Sequence, residues 1–210
     1  MNNAIFPIFI LLAMTSAVHE PISTAIENYK NVESYSVTLR SRGNDSSEEI
    51  KYYYKRPGFV RMEFIKPHKG AVLVYSPYKK EVRLRPFGFL KPFVLTLNPD
   101  NNLIKSSRGH TVDESDIGSL LRTVKKLQAD GKTEVAGEEA VGNKPAMLVR
   151  VEGNPDFVVD GIHRYLLWLD KKTFLPLKVS AYDLKGYLVE EVLMDDLDIG
   201  IAITESFFEL

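Results

Sequence analysis

Four histidines, His19, His68, His110 and His163, are the first candidates for metal or proton chemistry. No two stand at ligand spacing and no His-Glu-x-x-His pair occurs, so each reads as a turn or surface residue. A two-histidine site assembled only by folding stays open at this level. No Gly-x-Ser-x-Gly elbow and no glycine-rich phosphate loop is present. Asp195-Asp196-Leu197-Asp198-Ile199-Gly200 has a calcium-like acidity but lacks the distal glutamate of an EF-hand loop, and reads as an acidic strand end. The chain contains no cysteine. A disulfide scaffold, a thiolate zinc site, a thiol nucleophile and a lipidated cysteine anchor are thereby excluded. Asn44-Asp45-Ser46 is a formal glycosylation sequon of little weight. No set of residues suggests catalysis, a cofactor or a resident metal, and the expectation is a protein that is not an enzyme.

Charge narrows the partners. There are 27 basic and 28 acidic residues in 210, a net charge of -1. A nucleic-acid binder needs a surplus of cations to neutralise phosphates, and that class is excluded. The same balance weighs against strong attraction to an anionic membrane surface. Hydrophobic residues make up 44% and charged residues 26%, as in an ordinary globular domain able to bury a core without covalent staples.

Ala4 to Met14 is an apolar run of signal-peptide length, too short to span a bilayer. Thr15-Ser16-Ala17 supplies small residues at the positions a signal peptidase reads, although Met1-Asn2-Asn3 carries no Lys or Arg. Residues 1–17 are expected to be a cleaved signal and residues 18–210 one domain. The absence of cysteine suits export to an oxidising compartment.

Two segments have helical period. Ile22, Ala25, Ile26, Tyr29 and Val32 form one stripe over Pro21 to Val32. Ile117, Leu120, Leu121, Val124 and Leu127 form another over Asp113 to Gln128, with acids at its start and Lys125 and Lys126 near its end. Elsewhere the period is two. Ile50, Tyr52 and Tyr54 alternate with Lys51, Tyr53 and Lys55, and Val60, Met62 and Phe64 with Arg61 and Glu63. Ala71 to Tyr75 is continuously apolar, and Val82 and Leu84 alternate with charged neighbours. About ten strands separated by turns, with two main helices, give an α+β domain built on an antiparallel meander. Pro86 to Leu97 is apolar, aromatic and without period, and needs something to cover. One sheet face is wet; Val60, Met62, Phe64, Val72, Val74 and Leu84 are expected on the other. Either these residues are a packed core, the reading that periodicity alone favours, or the helices lid a half-open barrel and leave an apolar groove.

Lys55-Arg56-Pro57-Gly58-Phe59-Val60-Arg61-Met62-Glu63-Phe64 resembles the Lys-Arg-Pro strand entry of the LolA-like proteins, the lipoprotein-sorting family of the periplasm. Leu167-Trp168-Leu169-Asp170-Lys171-Lys172-Thr173-Phe174-Leu175-Pro176 resembles that family's Asp-Lys, Leu-Pro hairpin, and Glu190 to Asp198 with Phe207-Phe208 its last strands. Two departures stand out. Ser76-Pro77-Tyr78-Lys79-Lys80 replaces an Asp-Gly-Lys turn, and Pro86 to Gly109 looks inserted. The resemblance implies a half-open antiparallel barrel whose helices cover an acyl-binding cavity. That cavity would be lined by Tyr52, Tyr54, Val60, Met62, Phe64, Val72, Val74, Leu84, Phe89 and Phe93. It also implies a lid at Ile117, Leu120, Leu121 and Val124, latched by Arg56 through loop carbonyls. The implied function is a soluble periplasmic carrier of a lipid or an acylated lipoprotein, passed from an inner-membrane donor to an outer-membrane acceptor. The alternative is a non-carrier sensor of envelope stress on the same fold. Intact-mass analysis of the exported protein is expected to give a chain beginning at Val18; a chain retaining residues 1–17 would overturn the signal reading.

Overall fold

The computed structural model describes residues 20–43, 47–86, 88, 93–106 and 109–210. The signal segment, the Asn44 sequon and Phe89 lie outside the described residues. Among these residues there are two α-helices. α1 (Pro21–Lys30) starts on Glu20, whose carboxylate accepts from the N–H groups of Ile22 at 2.9 Å and Ser23 at 2.7 Å. α2 (Ile117–Ala129) starts on Asp116, which accepts from Ser119 N at 3.1 Å. The segment read from sequence as one helix from Asp113 is divided: Val112–Glu114 is a separate 3-10 turn. Ser115 Oγ donates to Val112 O at 2.6 Å, a local bond that competes with a continuous α-helix.

Eleven strands form one antiparallel sheet. They are β1 (Ser34–Gly43), β2 (Ser47–Lys55), β3 (Phe59–Lys66), β4 (Val72–Ser76), β5 (Glu81–Arg85), β6 (Leu95–Leu97), β7 (Gly131–Val141), β8 (Lys144–Gly153), β9 (Arg164–Asp170), β10 (Pro176–Tyr182) and β11 (Leu188–Ile199). The order is β6-β5-β4-β3-β2-β1-β11-β10-β9-β8-β7. Two meanders, β1 to β6 and β7 to β11, are thus joined where the first strand pairs with the last. The strand beyond the expected ten is β6, three residues inside the segment that showed no period. It pairs Leu95 with Leu84 and Leu97 with Val82.

The edges β6 and β7 do not pair, so the sheet is an open half-barrel. Residues 98–130 must carry the chain from one edge to the other. Laid flat, eleven strands would be roughly 48 Å across at about 4.8 Å spacing, whereas a helix of α2's length covers only about 20 Å. Curling the sheet brings the edges near enough for the segment to cross, and it crosses on the concave face. There α2 packs against α1, β7 and β8. Gly118 permits the close helix contact: a Cβ at that position would lie 2.4 Å from Tyr29 Cε1. The concave face holds the main core, from Ile22 and Ala25 of α1 and Leu121, Val124 and Leu127 of α2 down to Val149, Val151, Leu167 and Val179 of the sheet. On the outer face the Glu205–Phe208 turn lies against β3 and β4.

Glu20 ties the first turn of α1 to the last turn of α2. Gln128 Nε2 donates to its Oε1 at 2.7 Å and Lys125 Nζ to its Oε2 at 3.2 Å. Burial alone would raise this carboxyl, but the bonds from Ser23, Gln128 and the backbone outweigh it and hold the pKa at about 2. The folded value lies below the ordinary 4.5, so the contribution is present above about pH 4.5 and is lost as pH falls toward 2. Urea midpoints measured from pH 6 to pH 2 are expected to drop across that window. Glu20→Gln should lower the pH 6 midpoint and flatten the drop; an unchanged profile would remove Glu20 as the acid-sensitive tie.

Candidate functional site

The register of the sheet sorts the apolar strand residues into rows across the concave face, because directly opposed residues share a face. One row runs Tyr35, Tyr54, Val60, Tyr75, Val82 and Leu97. The next runs Val37, Tyr52, Met62, Leu73, Leu84 and Leu95. A third begins Met194, Leu39, Ile50 and Phe64. Burial falls from row to row. In the first, Tyr35, Tyr54, Val60 and Val82 are buried; in the second Met62 and Leu84 are half-buried; in the third Leu39 and Phe64 are half-buried. Half-buried Val192, Ile104 and Leu120 join the same cluster. The concave face is therefore filled beneath the helices and grades into a strip of partly exposed apolar side chains beyond them.

Four tyrosines mark the filled end. Tyr35 stacks between Tyr52 and Tyr54, with ring centroids 5.9 and 5.2 Å away, and Tyr29 of α1 closes over Tyr35 and Tyr54 at 6.5 and 6.1 Å. Buried phenols need partners, and three of them find theirs at the start of α2. Tyr29 Oη donates to Asp116 at 2.9 Å, Tyr35 Oη accepts from Ile117 N at 3.2 Å, and Tyr52 Oη bonds Ser115 Oγ at 3.1 Å. Burial pushes all four phenols above the ordinary value of 10, reinforced by Asp116 at Tyr29 and by Tyr52 at Tyr35. They remain neutral, as hydrogen bonding here requires.

The structure places Tyr52, Tyr54, Val60, Met62, Phe64 and Leu84 together on the concave face. Val72 and Val74 do not join them. Val60 pairs with Tyr75 and Met62 with Leu73, which turns Val72 and Val74 to the outer face opposite Glu63 and Arg61. A continuous apolar run cannot show its own phase, because β4 is buried on both faces. Leu73 and Tyr75 are the inward residues that sequence reasoning missed. Phe93 is 48% exposed. Ile117, Leu121 and Val124 are core residues, with Leu120 half-buried beside them. Arg56 does latch carbonyls, but those of α1 rather than of α2. Its Nη2 donates to Tyr29 O at 3.3 Å, Lys30 O at 2.9 Å and Val32 O at 3.1 Å. These include carbonyls that the helix end leaves without partners. Its Nε stands 3.5 Å from Glu33 Oε1, an ion pair without a hydrogen bond.

Among the described residues no three His, Asp or Glu side chains converge as metal ligands. No helix among them is long and apolar enough to cross a membrane. Of two open recesses, one of about 130 Å³ lies on the outer face and one of about 460 Å³ opens mainly there, with Phe64 on its rim.

Residues 29–210 match the model of DUF1571, a family described as proteins of unknown function. The chain belongs to this family. No curated protein matches it. Among solved structures, this DUF1571 chain is similar to the Mycobacterium tuberculosis lipoprotein LppX, with 10% identity, 88% of this chain and 96% of that one covered, and a TM-score of 0.54. It is also similar to a chain of the Pseudomonas aeruginosa MucA/MucB complex, with 20% identity, 90% and 59% covered, and a TM-score of 0.52. It thus spans about three fifths of that second chain. A LolA superfamily protein from Nitrosomonas europaea matches at 14% identity, 90% and 96% covered, and a TM-score of 0.40. At such identities the likeness is one of fold, carried by the first two. The DUF1571 chain shares the fold of those two, and its open antiparallel sheet with helices on the concave face is the architecture the sequence motifs led to expect.

Arg56→Ala is expected to lower stability by about 1–3 kcal/mol, since it strips charge-assisted bonds from helix-end carbonyls. Tyr35→Phe should cost a similar amount by orphaning the Ile117 N–H. Urea unfolding of each variant checks both, and a loss below about 0.5 kcal/mol in either would show that bond to be incidental.

Proposed function

We propose that this protein binds a lipid, or the acyl chains of a lipoprotein, on the partly exposed apolar strip of its concave face, and carries that cargo through the periplasm. The reading rests on one observation: Leu39, Met62, Phe64 and Leu84 share a face and a cluster but remain half-buried. Apolar side chains at the mouth of a curved sheet are the lining an acyl chain requires, and Met62 adds an unbranched, polarizable surface that adapts to irregular cargo. The ligand extends a core that is already filled beneath the helices, rather than entering an empty barrel. Nothing in the strip offers a nucleophile or a proton-transfer pair, which favours binding over catalysis.

A second reading has its own support. The likeness in fold to a chain of the MucA/MucB complex supports a reading in which a protein partner takes part. On that reading the same strip senses an acylated molecule and reports it to a regulatory protein.

Native mass spectrometry of the protein purified from cells without detergent tests the proposal. The expected result is an added mass that solvent extraction removes and that Phe64→Glu or Leu84→Glu abolishes while thermal unfolding shifts by only a few degrees. A protein that stays unliganded when offered phospholipid and acylated peptide would sink the lipid reading. Transfer of the bound lipid to acceptor vesicles separates a carrier from a sensor.

A further inference from the structure

The larger recess, about 460 Å³, opens mainly on the outer face, away from Leu39, Met62 and Leu84, and meets the acyl strip only at Phe64 on its rim. Its centre is one row across three strand pairs: Lys51 opposes Glu63, Glu63 opposes Val72, and Val72 opposes Arg85. At about 4.8 Å per strand, the two cations stand roughly 14 Å apart, and both side chains can lean over Val72 between them. Lys69 enters from the turn after β3, and Ile65, 38% exposed, adds apolar surface. Arg61 is the fourth cation of the recess and the one already committed. Its Nε donates to Glu63 at 2.8 Å and its Nη1 to Phe207 O at 2.9 Å.

The remaining three are not committed. Among the described residues, Lys51, Lys69 and Arg85 make no side-chain hydrogen bond and no ion pair, whereas most other basic residues of the sheet do. Arg85 carries a further sign. Its Nε is shut off from solvent and has no acceptor, a state that costs free energy unless something else supplies the acceptor. Arg61 and Glu63 offset each other, so the recess keeps a surplus of three positive charges on a chain whose net charge is only -1. An anion with an apolar neighbour relieves both.

We propose that this recess seats the phosphate headgroup of an anionic phospholipid at a bilayer surface. Lys51, Lys69 and Arg85 take the phosphate, and the exposed Ile65 meets the first carbons beneath it. The near-zero net charge does not oppose this, because a headgroup meets one face within a Debye length and not the average of the molecule.

Sedimentation of the full chain with vesicles tests it, using phosphatidylcholine alone and phosphatidylcholine with a quarter phosphatidylglycerol. A marked preference for the anionic vesicles is expected at low salt, fading as ionic strength rises. Each cation is worth about a fivefold change near such a surface, so Lys51→Gln/Lys69→Gln/Arg85→Gln should cost up to about a hundredfold. The double variant Lys51→Gln/Lys69→Gln, which leaves the half-buried Arg85 in place, should lose about twentyfivefold. Removing the same charge at Lys144, Lys172 and Lys185 should leave the preference intact. Equal binding to both vesicles, or a preference that survives in the triple variant, would overturn the proposal. So would calorimetric binding of inorganic phosphate at the same residues without any vesicle preference, which would make the recess a small-anion site. Neither result decides the concave strip, whose own test reads extracted lipid and whose Leu84→Glu variant lies outside this recess.

Discussion

Three phenol hydroxyls at the start of α2 set the terms for the rest of the structure. The chain must cross its own concave face to reach the far edge of the sheet, and a crossing segment needs something to stop it sliding. Tyr29, Tyr35 and Tyr52 supply it, bonding Asp116, Ile117 and Ser115 in succession. The rings are buried, and an orphaned phenol there would cost about 1–3 kcal/mol. Asp116 serves twice, as the acceptor for Tyr29 and as the cap of α2. Helix position and sheet position are thereby one constraint.

That constraint divides the concave face. On one side lie the tyrosines, both helices and the fully buried side chains; on the other lie Leu39, Met62, Phe64 and Leu84, which the helices leave partly uncovered. Arg56 belongs to the first side, holding the end of α1 by its carbonyls. With Glu20 joining the other end of α1 to α2, the helix pair is held at both ends. On the proposed function, cargo would lie along the half-buried strip beside a fixed core, rather than in an empty cavity under a free lid.

The outer face follows a different logic. The closing turn of the chain lays Phe207 and Phe208 over Tyr53 and Phe59, and Arg61 over Phe207, covering β3 and β4 from outside. This is why β4 is apolar on both faces. Where that cover ends, Lys51 of β2 and Arg85 of β5 are left without partners among the described residues.

Much of this was legible in the sequence. The stripes of α1 and α2, the alternation of β2, β3 and β5, and the membership of Tyr52, Tyr54, Val60, Met62, Phe64 and Leu84 on one face all follow from local period, because burial on one side imposes it. The Lys-Arg-Pro and Leu-Pro motifs carried the half-barrel. What the sequence could not carry were decisions made by distant partners. Val72 and Val74 took the outer face because Val60 pairs with Tyr75, a choice a run of five apolar residues leaves undetermined. β6 became a strand because β5 offered an edge. Arg56 chose the end of α1 over α2, and the first strand met the last across the seam, because only the folded sheet brings those groups within reach. Local period reports which side of an element is buried; it holds no information about what does the burying.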